Sequence, residues 1–243
     1  MQSTRRRPHV AEIIANVMPA SYLQAMLKQS FSHVRHWVFD LDNTLYHPSA
    51  RLFDQIEAKM NAYMMAELKL SESEASSLRA DYWRNHGTTL AGLMAVHQID
   101  PDPFLLDVHD IDLDHLEEDV ALAAAISALP GQKIVYTNGT APYATRVLKA
   151  RGLDGLFDSI WGVEHAGYRP KPEAAAFETV FAKAGVDGAI GAMFEDDPRN
   201  LSVPHAMGMK TVHVADEPQA GDDAGDHVHH HTDSLALFLS ALT

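Results

Sequence analysis

The chain has no cysteine among its 243 residues. That excludes disulfides and thiolate metal sites and leaves the redox compartment open. It also lacks any apolar run near the roughly 18 residues that a membrane-spanning helix needs. Basic residues are scarce: 19 Lys and Arg stand against 33 Asp and Glu, for a formal charge of −14. Such a balance disfavours nonspecific attraction to nucleic acid polymers or anionic membranes and favours solubility. A phosphorylated ligand would therefore have to be held by local positive groups. The basic stretch Arg5-Arg6-Arg7 is followed by Glu12, Asn16 and Pro19, which argues against a secretory signal. Because that stretch is also poor in acids, organelle targeting is the lesser alternative to a default cytoplasmic location. A disordered, solvated terminus is favoured there over contact with an acidic partner.

The length suits one domain with a large insertion or two modest domains. Residues 9–30 carry a helical pattern that Pro19 should kink or break. His36–Phe39 is a short apolar run that reads as a buried strand ending at Asp40. From Arg51 the spacing turns helical, with Leu52, Phe53, Ile56, Met60, Tyr63, Met64 and Leu68 three and four apart. The Met and aromatic positions of this helix are expected to pack the interior rather than hold a cofactor. A second helix is predicted from Ser71, where Glu74 completes a capping-box pattern, and a third after Gly87-Thr88-Thr89. Asp100-Pro101-Asp102-Pro103 should end it, because proline cannot continue the hydrogen-bond ladder. Another helix is predicted over 115–129, closed by Pro130-Gly131. Beyond it, strands at 133–136, 159–163, 192–194 and 210–214 alternate with helices at 141–151, 172–184, 200–207 and 234–242. This alternation predicts an α/β fold: a doubly wound, mostly parallel, Rossmann-like sheet covered on both faces. The expected division is an N-terminal helical extension at 1–34, a catalytic core at 35–50 and 129–243, and a helical cap at 51–128 inserted after the first strand. Ligands of such sheets bind outside the carboxyl ends of the strands.

Four segments carry chemistry, and each falls at a predicted strand end. In Asp40-Leu41-Asp42 two carboxylates stand two residues apart. One can attack phosphorus and hold a divalent cation while the other exchanges protons with the leaving oxygen and the incoming water; an acidic turn is the plain alternative. In Thr137-Asn138-Gly139 a hydroxyl and adjacent amides can donate to phosphate oxygens; an ordinary strand-to-helix turn capped by Thr137 or Thr140 is the alternative. In Arg169-Pro170-Lys171-Pro172 the prolines stiffen the chain around a lysine suited to neutralising phosphate; a solvated surface lysine is the alternative. Glu195-Asp196-Asp197 crowds three acids, which repel unless solvated, protonated or shared with a cation. Magnesium, a hard cation, suits such oxygen ligands. Convergence of all four on one sheet edge favours chemistry over four unrelated turns.

These segments, in this order, resemble the motifs of the haloacid dehalogenase-like hydrolase superfamily across Val38 to Val214. The resemblance implies Asp40 as nucleophile, Asp42 as general acid and base, Thr137 as phosphate-binding hydroxyl and Lys171 as neutralising lysine. It implies Mg2+ held by Asp40, Asp196 with Glu195 beside it, and the main-chain carbonyl of Asp42. Asn138 and Gly139 fall in the expected phosphate loop. Asp42 argues against a dehalogenase, which lacks this second acid. A narrower likeness, to the pyrimidine 5'-nucleotidase branch, rests on Asp42-Asn43-Thr44-Leu45-Tyr46, Gly87-Thr88-Thr89-Leu90, Val108-His109-Asp110-Ile111-Asp112 and Phe194-Glu195-Asp196 through Asn200-Leu201. Asp197, followed by Pro198, departs from that pattern, where a small residue such as serine is usual.

The resemblance thus implies a magnesium-dependent phosphohydrolase acting on a small phosphorylated metabolite, a pyrimidine nucleoside monophosphate, through an aspartyl phosphate. A phosphatase of sugar or other small phosphates, or a phosphomutase, would use the same core. His86, Gly87, Thr88 and Thr89 are the candidate substrate-selecting residues of the cap. The cluster His227, His229, His230 and His231 reads as a short strand and polar turn rather than a metal site.

Overall fold

The computed structural model describes residues 19–217 and 225–243. The basic stretch and the predicted helical residues before Pro19 lie outside them. Helix α1 (Ala20–Phe31) leads into β1 (His36–Phe39). Four helices follow: α2 (Leu52–Leu68), α3 (Glu72–His86), α4 (Thr89–His97) and α5 (Pro101–Val108). The chain then runs α6 (Val120–Ser127), β2 (Gln132–Tyr136), α7 (Ala141–Ala150), β3 (Ser159–Trp161), α8 (Ala174–Ala184) and β4 (Gly191–Glu195). It closes with α9 (Ser202–Ala206), β5 (Lys210–Val214), β6 (His230–Thr232) and α10 (Leu235–Ser240).

The strands form one sheet in the order β3-β2-β1-β4-β5-β6, and every pairing among them is parallel. Trp37 and Phe39 alternate with Val38, so β1 feeds two separate packing layers. On one face Phe39 stacks on Phe194 with ring centroids 4.8 Å apart, beneath α1, α6, α7 and α10. On the other, Val38 and Tyr136 pack on Phe177, Val180 and Phe181 of α8. This is the expected doubly wound fold, with a helical cap after β1. Strand order runs outward from β1 to β3 and restarts at β4 on the opposite side of β1. The β1–β4 boundary is thus the switch point where a crevice opens at the carboxyl ends.

Local chemistry accounts for the cap helices. Ser71 Oγ accepts from the Glu74 amide at 3.4 Å and Glu74 Oε2 accepts from the Ser71 amide at 2.8 Å, so the capping box forms. Gly92 has no room for a side chain: a Cβ there would lie 2.2 Å from Tyr82 Cγ, which lets α3 and α4 approach closely.

Several expectations need correction. Asp100-Pro101-Asp102-Pro103 separates two helices, but it also starts α5. Pro101 takes a first-turn position, where the missing amide costs nothing, and Asp100 Oδ1 accepts from the Asp102 amide. The helix expected over 115–129 begins only at Val120, because Asp119 caps it through the Leu122 amide. The strand expected through Val163 ends at Trp161, and Val163–Ala166 is a 3-10 turn. The helix expected at 200–207 is a 3-10 turn, Pro198–Leu201, followed by the short α9. No helix among the described residues is long and apolar enough to cross a membrane.

Candidate active site

Asp40 leaves β1 with its amide donating to Phe194 O of β4 at 2.9 Å, directly over the switch point. It is 4% exposed. Its Oδ1 accepts from Lys171 Nζ at 2.6 Å and its Oδ2 from Thr44 Oγ1 at 3.1 Å. Lys171 is not a surface lysine: it is 1% exposed and also donates to Glu195 Oε2 at 2.7 Å and Tyr136 O at 3.1 Å. Its three donors therefore have three acceptors. Burial alone would lower the ammonium's pKa, but the charges of Asp40 and Glu195 outweigh it and hold the group above the ordinary lysine value.

Lys171 is held from behind by Asn138. Asn138 Oδ1 accepts from the Lys171 amide at 2.7 Å and its Nδ2 donates to Lys171 O at 3.2 Å. The Asn138 side chain, expected near phosphate, is thus engaged with the lysine loop. Thr137 is 1% exposed, and its Oγ1 accepts from the Gly139 amide at 2.9 Å.

Carboxylate oxygens of Asp40, Glu195 and Asp196 all lie within 4.8 Å of one another. Burial, then the Asp40 charge, raises the Asp196 carboxyl to about 7. The same two causes push Glu195 well above its usual range, against the opposing pull of Lys171. Three oxygen donors crowded at this cost suit a hard divalent cation, so these residues fit magnesium. Asn43 joins the group: its Nδ2 donates to Asp196 Oδ2 at 3.2 Å from a left-handed backbone (φ 58°) that asparagine tolerates. His213 Nε2 lies 2.9 Å from Asp196 O and fixes that carbonyl. Asp197, the departure from the nucleotidase pattern, turns away from the cluster. It receives Arg199 Nε at 3.0 Å and Nη2 at 2.6 Å, and Arg199 lies 4.1 Å above the Trp83 ring of the cap.

The Asp42 carboxylate stands apart from this group. Its Oδ1 receives Tyr46 OH at 2.6 Å and Tyr143 OH at 2.8 Å, and its Oδ2 has Thr137 Oγ1 at 3.5 Å. Burial and the nearby Asp40 charge raise its pKa to about 6. Two acids two residues apart thus have separate surroundings.

A cavity of about 520 Å3 joins these groups to the cap. Gly87, Thr88 and Thr89 line it, while His86 does not and instead packs edge-on against Tyr82. Gly87 (φ 83°) comes close to the lysine loop, its Cβ position 3.6 Å from Pro170 Cγ. Thr88 Oγ1 caps α4. The opposite wall contains Phe53, Ile56 and Met60, which the sequence pattern assigned to interior packing, together with Glu57, Arg79 and Trp83. Arg79 Nη1 donates to Glu57 Oε1 at 2.7 Å. A charged pair on otherwise apolar inner faces of α2 and α3 was the signal available for them. The late histidines supply β6 as expected; His229 Nδ1 lies 2.7 Å from Thr211 Oγ1. Among the described residues, the Asp40, Glu195 and Asp196 group is the one that gathers three possible metal ligands.

A family model, haloacid dehalogenase-like hydrolase, matches residues 34–208. The chain is 28% identical over 202 residues to Phosphate metabolism protein 8 of Saccharomyces cerevisiae, a match covering 74% of this chain and 62% of that protein. It thus spans less than two thirds of that relative's length. A haloacid dehalogenase-like phosphatase from Thermococcus onnurineus superposes with a TM-score of 0.59 at 15% identity, covering 86% of this chain and 98% of the other. The hydrolase YfnB of Bacillus subtilis, whose crystal structure is bound to magnesium, gives 0.55 at 16% identity, covering 86% and 99%. A 2-haloacid dehalogenase from Pseudomonas syringae pv. Tomato gives 0.55 at 18%, covering 86% and 98%. Structures this distant share the fold, and the family match spans the strand-end cluster, from the Asp40 and Asp42 pair to Asp196: the chain belongs to the haloacid dehalogenase-like hydrolases.

Proposed function

We propose that the chain is a magnesium-dependent phosphohydrolase that removes the 5'-phosphate of nucleoside monophosphates, pyrimidine nucleotides among them. The observation that carries this reading is the division between the two acids. Asp40 is paired to Lys171 beside the carboxylate group, whereas Asp42 is held apart by two phenols. A dehalogenase has no use for the second acid.

In this reading Asp40 attacks phosphorus in line. Lys171 orients Asp40 through the 2.6 Å contact and offsets charge on the phosphoryl oxygens, while Thr137 and the amides of Asn138 and Gly139 orient them. Asp42 gives its proton to the leaving oxygen, and as a carboxylate it then takes one from the water that attacks the aspartyl phosphate. Asp40, Asp196, Glu195 and the main-chain carbonyl of Asp42 would hold Mg2+, which when bound offsets phosphoryl charge and aligns the phosphate. The raised pKa of Asp42 suits a group that must hold a proton near neutral pH. The cavity walls support a partly apolar leaving group with a polar edge: Phe53 and Trp83 supply aromatic lining, and the Glu57 and Arg79 pair supplies hydrogen-bonding groups. The core would lie at 35–50 and 129–243 and the substrate-selecting cap at 51–128.

The test is phosphate release with magnesium across UMP, CMP, their deoxy forms, purine monophosphates and sugar phosphates. Asp40→Asn is expected to lower turnover on the order of 10^4- to 10^6-fold. Equal release by wild type and variant overturns the nucleophile. Activity on sugar phosphates alone overturns the nucleotidase reading and leaves the phosphatase core standing. Transfer to a second position of a sugar, rather than to water, would indicate a phosphomutase.

A further inference from the structure

The two oxygens of Asp42 are not equivalent. Tyr46 OH and Tyr143 OH both point at Oδ1, at 2.6 and 2.8 Å, while Oδ2 has only the long 3.5 Å contact with Thr137 Oγ1. The two phenols come from different elements, Tyr46 from the loop after β1 and Tyr143 from the first turn of α7. Both are buried, at 3% and 2% exposure. A carboxylate only accepts, so both hydroxyls must donate. An oxygen that already receives two donors can take a proton only if one of them is turned away and left buried without a partner, which is costly.

The ring of Tyr143 is itself set in place. A Cβ at Gly139 would lie 2.9 Å from Tyr143 Cδ1, so the glycine of the Thr137-Asn138-Gly139 loop makes room for the ring. The imidazole of His109, just beyond α5 of the cap, stacks on it with centroids 4.4 Å apart and planes 8° from parallel. His109 thus rests against the tyrosine and links the cap to the acid.

We propose that Tyr46 and Tyr143 are positioning residues for the proton donor, jointly occupying Oδ1 of Asp42 so that the transferable proton resides on Oδ2. The inference rests on the reading of Asp42 as general acid. As the bond from an Asp40 oxygen to phosphorus forms and the bond from phosphorus to the leaving oxygen breaks, the Oδ2 proton passes to that oxygen. The electron pair of the broken O–H bond stays on Asp42. The charge that appears on the carboxylate is met at Oδ1 by two donors already in place, with no reorganisation.

The test compares Tyr46→Phe, Tyr143→Phe and the double variant with wild type on two substrates. One is the best alkyl phosphate from the substrate panel and the other is p-nitrophenyl phosphate, whose leaving group departs without a proton. The readout is kcat/KM, which covers steps only through loss of the leaving group. The ratio of alkyl to aryl kcat/KM is taken within each preparation, so a reduced folded fraction cancels. Each single variant is expected to lower this ratio about tenfold, and the double variant more. Parallel loss on both substrates, or no loss, overturns the proposal and makes the tyrosines packing residues. Asp42→Asn separates the two readings. If it lowers the ratio while the tyrosine variants do not, only the positioning role falls. If it leaves the ratio unchanged, the acid assignment falls and this inference with it.

Discussion

The strand-end cluster and the cap wall face each other across one cavity and are built on opposite terms. At the strand ends nearly every polar atom has a charged or hydrogen-bonded partner. Lys171 alone ties Asp40, Glu195 and the Tyr136 carbonyl together. The cap wall is mostly apolar, with Phe53, Ile56, Met60, Leu90 and Phe104, and its one ion pair joins Glu57 to Arg79. Directional contacts in a buried setting fix positions to fractions of an ångström and tolerate little change, whereas apolar contacts respond to shape and volume. On the proposed function the reacting groups thus sit on the inflexible side, and whatever distinguishes one leaving group from another sits on the adaptable one.

The sharpest way to break this contrast is Lys171→Met. It leaves the two carboxylates of Asp40 and Glu195 without their ammonium, and phosphate release should fall on the order of 10^3-fold. Denaturant titration should show a loss of about 3–5 kcal/mol, the usual cost of removing one partner from a buried ion pair. Near-normal activity would mean that the core is not held by charge.

The joint between the two regions predicts a pH effect. Burial, the leading cause, lowers the His109 pKa from 6.5 to about 4. Over that window the unfolded chain takes up the proton and the folded chain does not. This contribution is therefore harmless above about pH 6.5, and stability falls as pH drops toward 4, by up to about 3 kcal/mol. His109→Phe keeps a ring against Tyr143 and should flatten the fall by that amount in denaturation curves recorded between pH 7 and 4. An unchanged curve would show that His109 protonates without opening the joint.

Smaller effects separate the two sides further. Asp196→Asn should raise the magnesium concentration for half-maximal activity at least about tenfold; an unaltered magnesium curve would remove Asp196 from the cation site. On the cap side, Arg79→Met should raise KM for nucleotides about tenfold while changing kcat for p-nitrophenyl phosphate by less than about twofold. Equal changes on both substrates would show that the cap wall does not discriminate.

The sequence pattern exposed the core better than the cap. Apolar runs bounded by acids, glycine or proline located five of the six strands, and the histidine-rich segment the sixth, because a buried parallel strand has few other ways to read. Asp40, Thr137, Lys171, Glu195 and Asp196 were singled out from widely separated segments, and the fold brings them to one edge. Helix ends were less legible wherever a cap competes with a proline rule, as at Asp100-Pro101. Tyr143 is not legible in the sequence because its role depends on reach from α7 to a loop 101 residues earlier. Nothing in its local pattern differs from a packed helical tyrosine. Phe53 and Met60 show the same limit. Helical periodicity identifies an inward face, but it does not say whether that face meets other side chains or a cavity.

Gly131 carries a consequence for the architecture as a whole. Its φ of 90° and a Cβ position 2.3 Å from Arg35 O leave room for no side chain. The Gln132 amide donates to that same carbonyl at 2.8 Å, and Trp37 Nε1 reaches Pro130 O at 2.7 Å. The strand that precedes the cap and the strand that follows it are therefore stitched together at their amino ends, independently of what lies between. Because the loop-closure penalty grows only with the logarithm of loop length, the part of the intervening chain before α6 can lengthen, shorten or be exchanged at a cost of about 0.6 kcal/mol per doubling, while α6 itself stays on the sheet. On the proposed function the stitch makes the cap a modular graft: a new specificity could be installed without redrawing the sheet that would carry the chemistry.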